Sequence, residues 1–377
     1  MEQRGTLAQI AREFLRLGFV AYGGPAAHIA MMEDRFVRQR QWVTRERFVD
    51  LVGAVNLLPG PSSTELAIYL GEIRGGVTGL IVAGACFILP AAVLVVALAW
   101  VYLRFGAVPQ VAGLLFGIKP VVVALIAQAI WNLGRTALKT AALTILAISV
   151  VALAAWGIRT LVLLIGAGVL WMIVREGSRL ARARTGVVGI IGAGAAGTGS
   201  VISAVPILVY FLKSGAALFG SGYVLLAVLR ADLVVRMNWL SDAQLLDAIA
   251  VSQATPGPFF TVATFIGYIL AGWRGAALAT LGMFLPAFVY VGATAGFLPK
   301  LRKSPVASAF LDGVNAAAVA LMAYVGWQFA RASLMNVPAA VLAIACAILV
   351  FRYKVNSAWL VLGGAVAGIL LRALHFI

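Results

Sequence analysis

The chain has 377 residues, 63% of them hydrophobic and only 11% charged, and its mean hydropathy is +1.02. Soluble domains run near 45–50% apolar and about 25% charged, so a soluble fold is excluded and a polytopic membrane protein is expected. The net charge of +16 does not signal nucleic acid, because the basic residues sit in short turns between apolar runs, as the positive-inside rule describes.

The N-terminus opens polar and shows no cleavable signal pattern. Residues 11–32 are apolar but interrupted by Gly23-Gly24-Pro25, which suits a broken or re-entrant helix pair. Residues 33–47 read as a charged loop carrying Arg35, Arg38, Arg40, Arg45 and Arg47. Residues 48–58 read as a short amphipathic helix running into Pro59-Gly60-Pro61. Pro59 removes a backbone hydrogen bond, Gly60 adds a flexible joint, and Pro61 suits the first position of a new helix over 62–73. The N–H groups of that helix, with Ser62, Ser63 and Thr64, form a ready anion site. The plainer reading is an ordinary Ser62–Glu65 capping box. Apolar runs near the 20 residues or so that cross a bilayer recur at 77–102, 111–131, 141–156, 161–174, 187–211, 276–297, 307–329, 337–351 and 358–371.

The second half repeats the first. At an offset of 197, Phe14 matches Phe211, Gly23 matches Gly220, Trp42 matches Trp239, Asp50 matches Asp247, and Pro59-Gly60-Pro61 matches Pro256-Gly257-Pro258. One residue is then lost, and at 196 Gly76 matches Gly272, Leu89-Pro90-Ala91 matches Leu285-Pro286-Ala287, and Trp131 matches Trp327. The charge bias reverses between corresponding turns: the arginine-rich 33–47 faces an acidic counterpart, and the weak turn at Arg104 faces the strong Lys300-Leu301-Arg302-Lys303. Reversal under the positive-inside rule means inverted topology. The expected fold is therefore an all-α polytopic membrane protein of two inverted repeats with broken helices. It has about nine full crossings plus two helical hairpins, or about thirteen segments. The expected organisation is a first repeat over 1–184, a connecting transmembrane segment over 185–210, and an inverted second repeat over 211–377. An odd count places the N-terminus in the cytoplasm and the C-terminus, at Ile377, in the periplasm. Inverted repeats with paired broken helices point to a secondary transporter with its site between the halves.

The candidate residues follow from that plan. Asn56 and Gln253 precede the two breaks and carry amide donors; Thr255 and Thr261 offer hydroxyls in the second half. Glu65 is a carboxylate at membrane depth and a candidate for proton coupling, with capping or pairing to Arg74 as the rival. Lys119, inside an apolar run, would supply charge to an anion site or else snorkel to the interface. His28 lies near the first break, where a structural role is the commoner one. Asp50 and Asp247 read as packing or cap residues, and Trp42 and Trp239 as interface anchors. Cys86 and Cys346 lie in apolar runs and set no disulfide, and no His/Cys cluster has metal-ligand spacing, so neither a metal nor a cofactor is expected. No nucleotide loop or catalytic triad appears, so the chain reads as no enzyme.

These residues carry a family resemblance. Phe14-Leu15-Arg16-Leu17-Gly18-Phe19, Tyr22-Gly23-Gly24-Pro25-Ala26-Ala27-His28-Ile29, Asn56-Leu57-Leu58-Pro59-Gly60-Pro61 with Ser63-Thr64-Glu65, and Phe87-Ile88-Leu89-Pro90-Ala91 resemble the chromate ion transporter family. Gln253-Ala254-Thr255-Pro256-Gly257-Pro258 fits its long, two-domain members. The resemblance covers nearly the whole chain and implies a bacterial inner-membrane protein that exports chromate and gives chromate resistance. Sulfate or another tetrahedral oxyanion is the alternative substrate, and the sequence leaves a homodimer open.

Overall fold

A computed structural model describes residues 5–105, 108–180, 204–218, 222, 224–294 and 305–374. Among the described residues all regular structure is helical. The first repeat runs α1 (Leu7–Val20), α2 (Pro25–Met32), a π-helical stretch Glu33–Gln39, α3 (Arg45–Val55), α4 (Ser62–Phe105), α5 (Pro109–Ala137), α6 (Ala141–Ala155) and α7 (Thr160–Leu180). The second runs α8 (Ala204–Ala217), α9 (Val224–Leu229), a π-helical stretch Arg230–Arg236, α10 (Asp242–Ala254), a 3-10 turn Phe259–Thr261, α11 (Val262–Thr294), α12 (Pro305–Ser333), α13 (Val337–Tyr353) and α14 (Ser357–Ala373).

The two repeats agree in backbone detail as well as in sequence. The π-helical stretches lie 197 residues apart. Gln41 and Asn238 follow them, and both take φ 51°. Gly76 (φ 61°, ψ −150°) and Gly272 (φ 58°, ψ −145°) interrupt α4 and α11 at equivalent points. Residues 71 and 79 of a straight helix would be on the order of 12 Å apart. Here a Cβ on Gly71 would strike the Gly79 carbonyl, so α4 turns back on itself at Gly76; Gly267 and Gly275 meet in the same way. Each of these helices is a hairpin whose arms close on glycine, because no larger side chain fits between the backbones.

The repeats also exchange their ends. α1 packs along α4 and α8 along α11, but α7 packs along α12 and α14 along α5. Side chains at Gly117 of α5 would overlap the backbone of Gly364 and Gly368 on α14, and one at Gly313 of α12 would overlap Ala167 and Trp171 on α7. These small-residue contacts bring helices together in lipid, where apolar surface alone gives no net drive to associate. Four helical stretches, Ser62–Phe105, Gly113–Ala137, Phe259–Thr294 and Pro305–Ser333, are long and apolar enough to cross a membrane. Five apolar helices are shorter: Ala141–Ala155, Thr160–Arg175, Val205–Ala217, Val337–Tyr353 and Ser357–Ala373.

Several expectations change. The stretch 33–47 is not a loop; it begins as a π-helix because its charges find partners and Phe36 is buried. Glu13 of α1, 3% exposed at its side chain, receives Arg35 Nε at 2.6 Å and also pairs with Arg40. Trp42 is buried and stacks on Phe36 with ring centroids 4.5 Å apart, under the Arg74 guanidinium, so it is a core residue and not an interface anchor. The separate crossing expected over 187–211 lies mostly outside the described residues. Its last residues, from Ala204, open α8, the counterpart of α1, and 181–203 lie outside the described residues. Gly220, Lys300-Leu301-Arg302-Lys303 and Ile377 lie outside them too.

Adjacent positions of α14 test the exchanged packing. A Cβ on Gly364 meets Val121 and the Gly117 backbone, whereas one on Gly363 meets nothing within 4 Å. Gly364→Leu is expected to lower the thermal midpoint of the detergent-solubilised protein by several degrees, and Gly363→Leu to leave it unchanged, by fluorescence-monitored unfolding.

Candidate functional site

Each break meets the other repeat. Gly60 donates its N–H to the carbonyl of Leu218, just beyond α8, at 2.7 Å, and Gly257 donates to the carbonyl of Ala21, just beyond α1, at 2.7 Å. Each repeat thus closes the break of the other, and the bonds sit at equivalent positions. Both glycines lie in the left-handed region, Gly60 at φ +140° and Gly257 at φ +94°. A side chain at Gly257 would also strike Ala91 Cβ at 2.6 Å, and one at Gly60 would strike Glu65 Oε1 at 2.5 Å. Pro59, Pro61, Pro256 and Pro258 deny the flanking positions an N–H and keep the chain from continuing as helix. Gly23 at φ +104°, with Gly24 capping α2 and Pro25 in its first turn, forms a further break beside the first.

A small cavity lies between these breaks. The first repeat lines it with Gly24, Pro25, His28 and Pro61-Ser62-Ser63; the second contributes Gly222, Gln253 and Pro258-Phe259-Phe260. The starts of α2 and α4 both lie at it, so two positive helix ends border the same space, and at α4 the lining residues Ser62 and Ser63 come before the first bonded N–H groups of the helix. Gln253 is 8% exposed, and its Nε2 donor has no hydrogen-bond partner. The lining has polar donors and phenyl rings but no charged side chain among the described residues. The cavity has room for about one water. A tetrahedral oxyanion needs several times that, so this is a closed arrangement.

The candidate residues divide on this geometry. Ser62, Ser63 and Gln253 come together at the cavity. Pro61 accepts at its carbonyl from the N–H groups of Thr64 and Glu65, so the helix starts at Ser62 as expected, with Pro61 as its cap rather than its first residue. The Ser62–Glu65 capping box does not form, since both Glu65 oxygens are buried without a partner. Glu65 lies beneath Gly60 and outside the cavity lining. Thr64 is buried beside it with its hydroxyl unpartnered. Thr255 and Thr261 give their hydroxyl protons to the carbonyls of Ser252 (3.2 Å) and Pro258 (2.9 Å) and hold the second break in shape. Asn56 ends α3 and is exposed, so it does not mirror Gln253. Lys119 is not at the cavity either. Its ammonium pairs with Asp247 of α10 at 3.2 Å, and Tyr102 donates to the other carboxylate oxygen at 3.1 Å. Asp247 is thus a counter-ion rather than a cap.

Phe259 and Phe260 were not singled out from the sequence. The repeat register contained the signal, because at an offset of 197 they replace Ser62 and Ser63. His28, expected near the first break, is at the cavity wall, with its ring within 3.3 Å of Ser63.

A two-repeat helical bundle that gathers paired helix breaks around one small cavity defines a multi-pass membrane protein of the transporter class. The chain belongs to the chromate transporter family, whose model matches residues 8–172 and again residues 205–369. It is 32% identical to the chromate transport protein of Cupriavidus metallidurans, over 96% of this chain and 92% of that one. It is likewise 32% identical to the chromate transport protein of Pseudomonas aeruginosa, over 96% and 91%. It is 28% identical to a probable chromate transport protein of Synechococcus elongatus, over 97% and 95%. No solved structure matches the chain.

Gln253 gives the direct test of the cavity as an anion site. Gln253→Leu removes the unpartnered buried donor and is expected to weaken oxyanion binding about tenfold or more, the loss typical of a hydrogen bond to a charged group. Asn56→Leu, at the exposed end of α3, should leave it unchanged. Titration calorimetry on the purified protein reads both.

Proposed function

We propose that the chain carries chromate out of the cell across the bacterial inner membrane as a secondary transporter, and so gives chromate resistance. The observation that carries this reading is the small cavity between the helix breaks, lined in part by Gln253, whose buried amide donor has no partner, in a chain of this family. A tetrahedral dianion suits such a site, which offers helix N-termini and neutral donors from several directions. The anion binds when the breaks part. Access alternates as the two repeats rock against each other across the Gly60–Leu218 and Gly257–Ala21 bonds. The membrane potential favours export: moving one charge is worth about 2.3 kcal/mol per 100 mV, and a dianion gains about twice that on leaving. The reversal of charge bias between the repeats supports inverted topology with the N-terminus in the cytoplasm and the C-terminus in the periplasm. Sulfate, of similar shape and charge, is the second substrate that the same donors would accept.

Radiolabelled chromate uptake into inside-out membrane vesicles tests the reading, with an imposed potential and excess sulfate as competitor. Protein-dependent uptake driven by the potential is expected, with inhibition by sulfate. No uptake in vesicles that carry the folded protein would refute it. Replacing Pro59-Gly60-Pro61 by three alanines restores helix-forming positions at the break and is expected to abolish uptake while the protein still inserts; intact uptake would show that the break is dispensable.

A further inference from the structure

The cavity lacks a cation, yet it is read as the seat of a dianion, and His28 resolves that mismatch. The ring is 1% exposed and lines the cavity. Its Nε2 lies 3.2 Å from the Ala21 carbonyl, and its Nδ1 lies 3.3 Å from the Ser63 hydroxyl. A carbonyl only accepts, so the hydrogen of the neutral ring belongs on Nε2. Nδ1 is then bare and accepts the hydroxyl proton of Ser63. Ser63 has one proton to give, and in this state it is given to the ring; lone pairs are all it offers an incoming oxyanion.

Adding a proton at Nδ1 reverses the bond to Ser63. The imidazolium donates from Nδ1 to Ser63 Oγ and still donates from Nε2 to Ala21, and the Ser63 hydroxyl turns to donate into the cavity. The ring also becomes the one cation on a lining that otherwise has none among the described residues. We propose that His28 is the proton-linked anion ligand of this cavity: the oxyanion binds together with one proton that His28 takes from the aqueous phase. The proposal rests on the cavity being the anion site.

The surroundings of the ring leave this role to it. From the end of α1 it meets the carbonyls of Ala21 and Gly23; from α4 it meets Ser63 and the edge of Phe87, with ring centroids 5.8 Å apart. No carboxylate or second cation is among these neighbours. Glu65, two residues beyond Ser63 on α4, is the next carboxylate along that helix and lies under Gly60, outside the lining. From the second repeat, Gln253, Phe259 and Phe260 face the same space and do not titrate. The repeat counterpart of His28 is Leu225, so a single protonatable ligand serves the pair of breaks. One bound proton reduces the net charge moved with a dianion from two to one.

The chain has two histidines, His28 and His375, which permits a direct reading. Nitrogen-15 histidine NMR on full-length protein carrying His375→Gln should show the neutral Nε2–H ring of His28 near pH 7.5 and convert to imidazolium on saturation with chromate. A thermal shift establishes occupancy in the same sample. A ring that stays neutral while chromate is bound would overturn the proposal. A protein that binds no chromate at all would instead refute the assigned substrate. A second arm follows chromate affinity with pH. Chromate takes up a proton of its own in this range, but equally for every variant, so the difference between proteins belongs to the protein. Relative to His28→Gln, the parent should lose affinity as pH rises, approaching tenfold per unit, as one linked proton requires. Ser63→Ala should keep that slope at lower affinity. A slope that survives His28→Gln and vanishes in Glu65→Gln would assign the proton to Glu65 and overturn the proposal.

Discussion

A helix that breaks inside a membrane protein must find partners for the backbone groups it sets free, because no water is at hand to satisfy them. Here the requirement is met reciprocally. The N–H of Gly60 reaches the end of α8 and that of Gly257 reaches the end of α1. Much else depends on this pair of bonds. It holds each proline-flanked turn, with its left-handed glycine, against the end of a helix of the other repeat, beside the cavity. The cavity lining and the contact between repeats are adjacent along the chain, since Pro61 and Pro258 line the cavity next to the two bonded glycines.

The backbone is nearly symmetric about that contact, but the chemistry is not. Ser62 and Ser63 are answered by Phe259 and Phe260, His28 by Leu225, Glu65 by Val262, and Lys119 by Asn315. One wall offers donors and a titratable ring, while the other adds two phenyl rings and the amide of Gln253. Polar groups that fix a ligand against largely apolar walls are the usual composition of a small-molecule site. Exact equivalence would have placed two histidines and four serines around one anion. Instead the first repeat carries most of the polar side chains at the cavity, and the second supplies its phenyl rings.

Much of this was legible in the sequence. The breaks at Pro59-Gly60-Pro61 and Pro256-Gly257-Pro258 announce themselves because proline and glycine act locally, through a missing N–H and a permitted φ. The repeat was legible for the same reason, since tryptophan, proline and aspartate matches survive a single offset. Side-chain partners were not, because they depend on where distant helices cross. Nothing in the sequence around Lys119 says that α10 will bring Asp247 against it. Nothing around Trp42 says that Phe14 and Phe36 will bury it. The π-helix over Glu33–Gln39 was hidden by its charges, which look like a loop until Glu13 is seen to gather Arg35 and Arg40.

The exchange of terminal helices sets a clock on assembly. α7 ends at Leu180, while α12, the helix along which it packs, begins only at Pro305. Synthesis at about 5–20 residues per second puts on the order of ten seconds between the two. For that interval the surface of α7 around Ala167 has lipid or other protein against it in place of Gly313. The first repeat is therefore inserted before its core can close, and the second repeat completes both halves when it arrives.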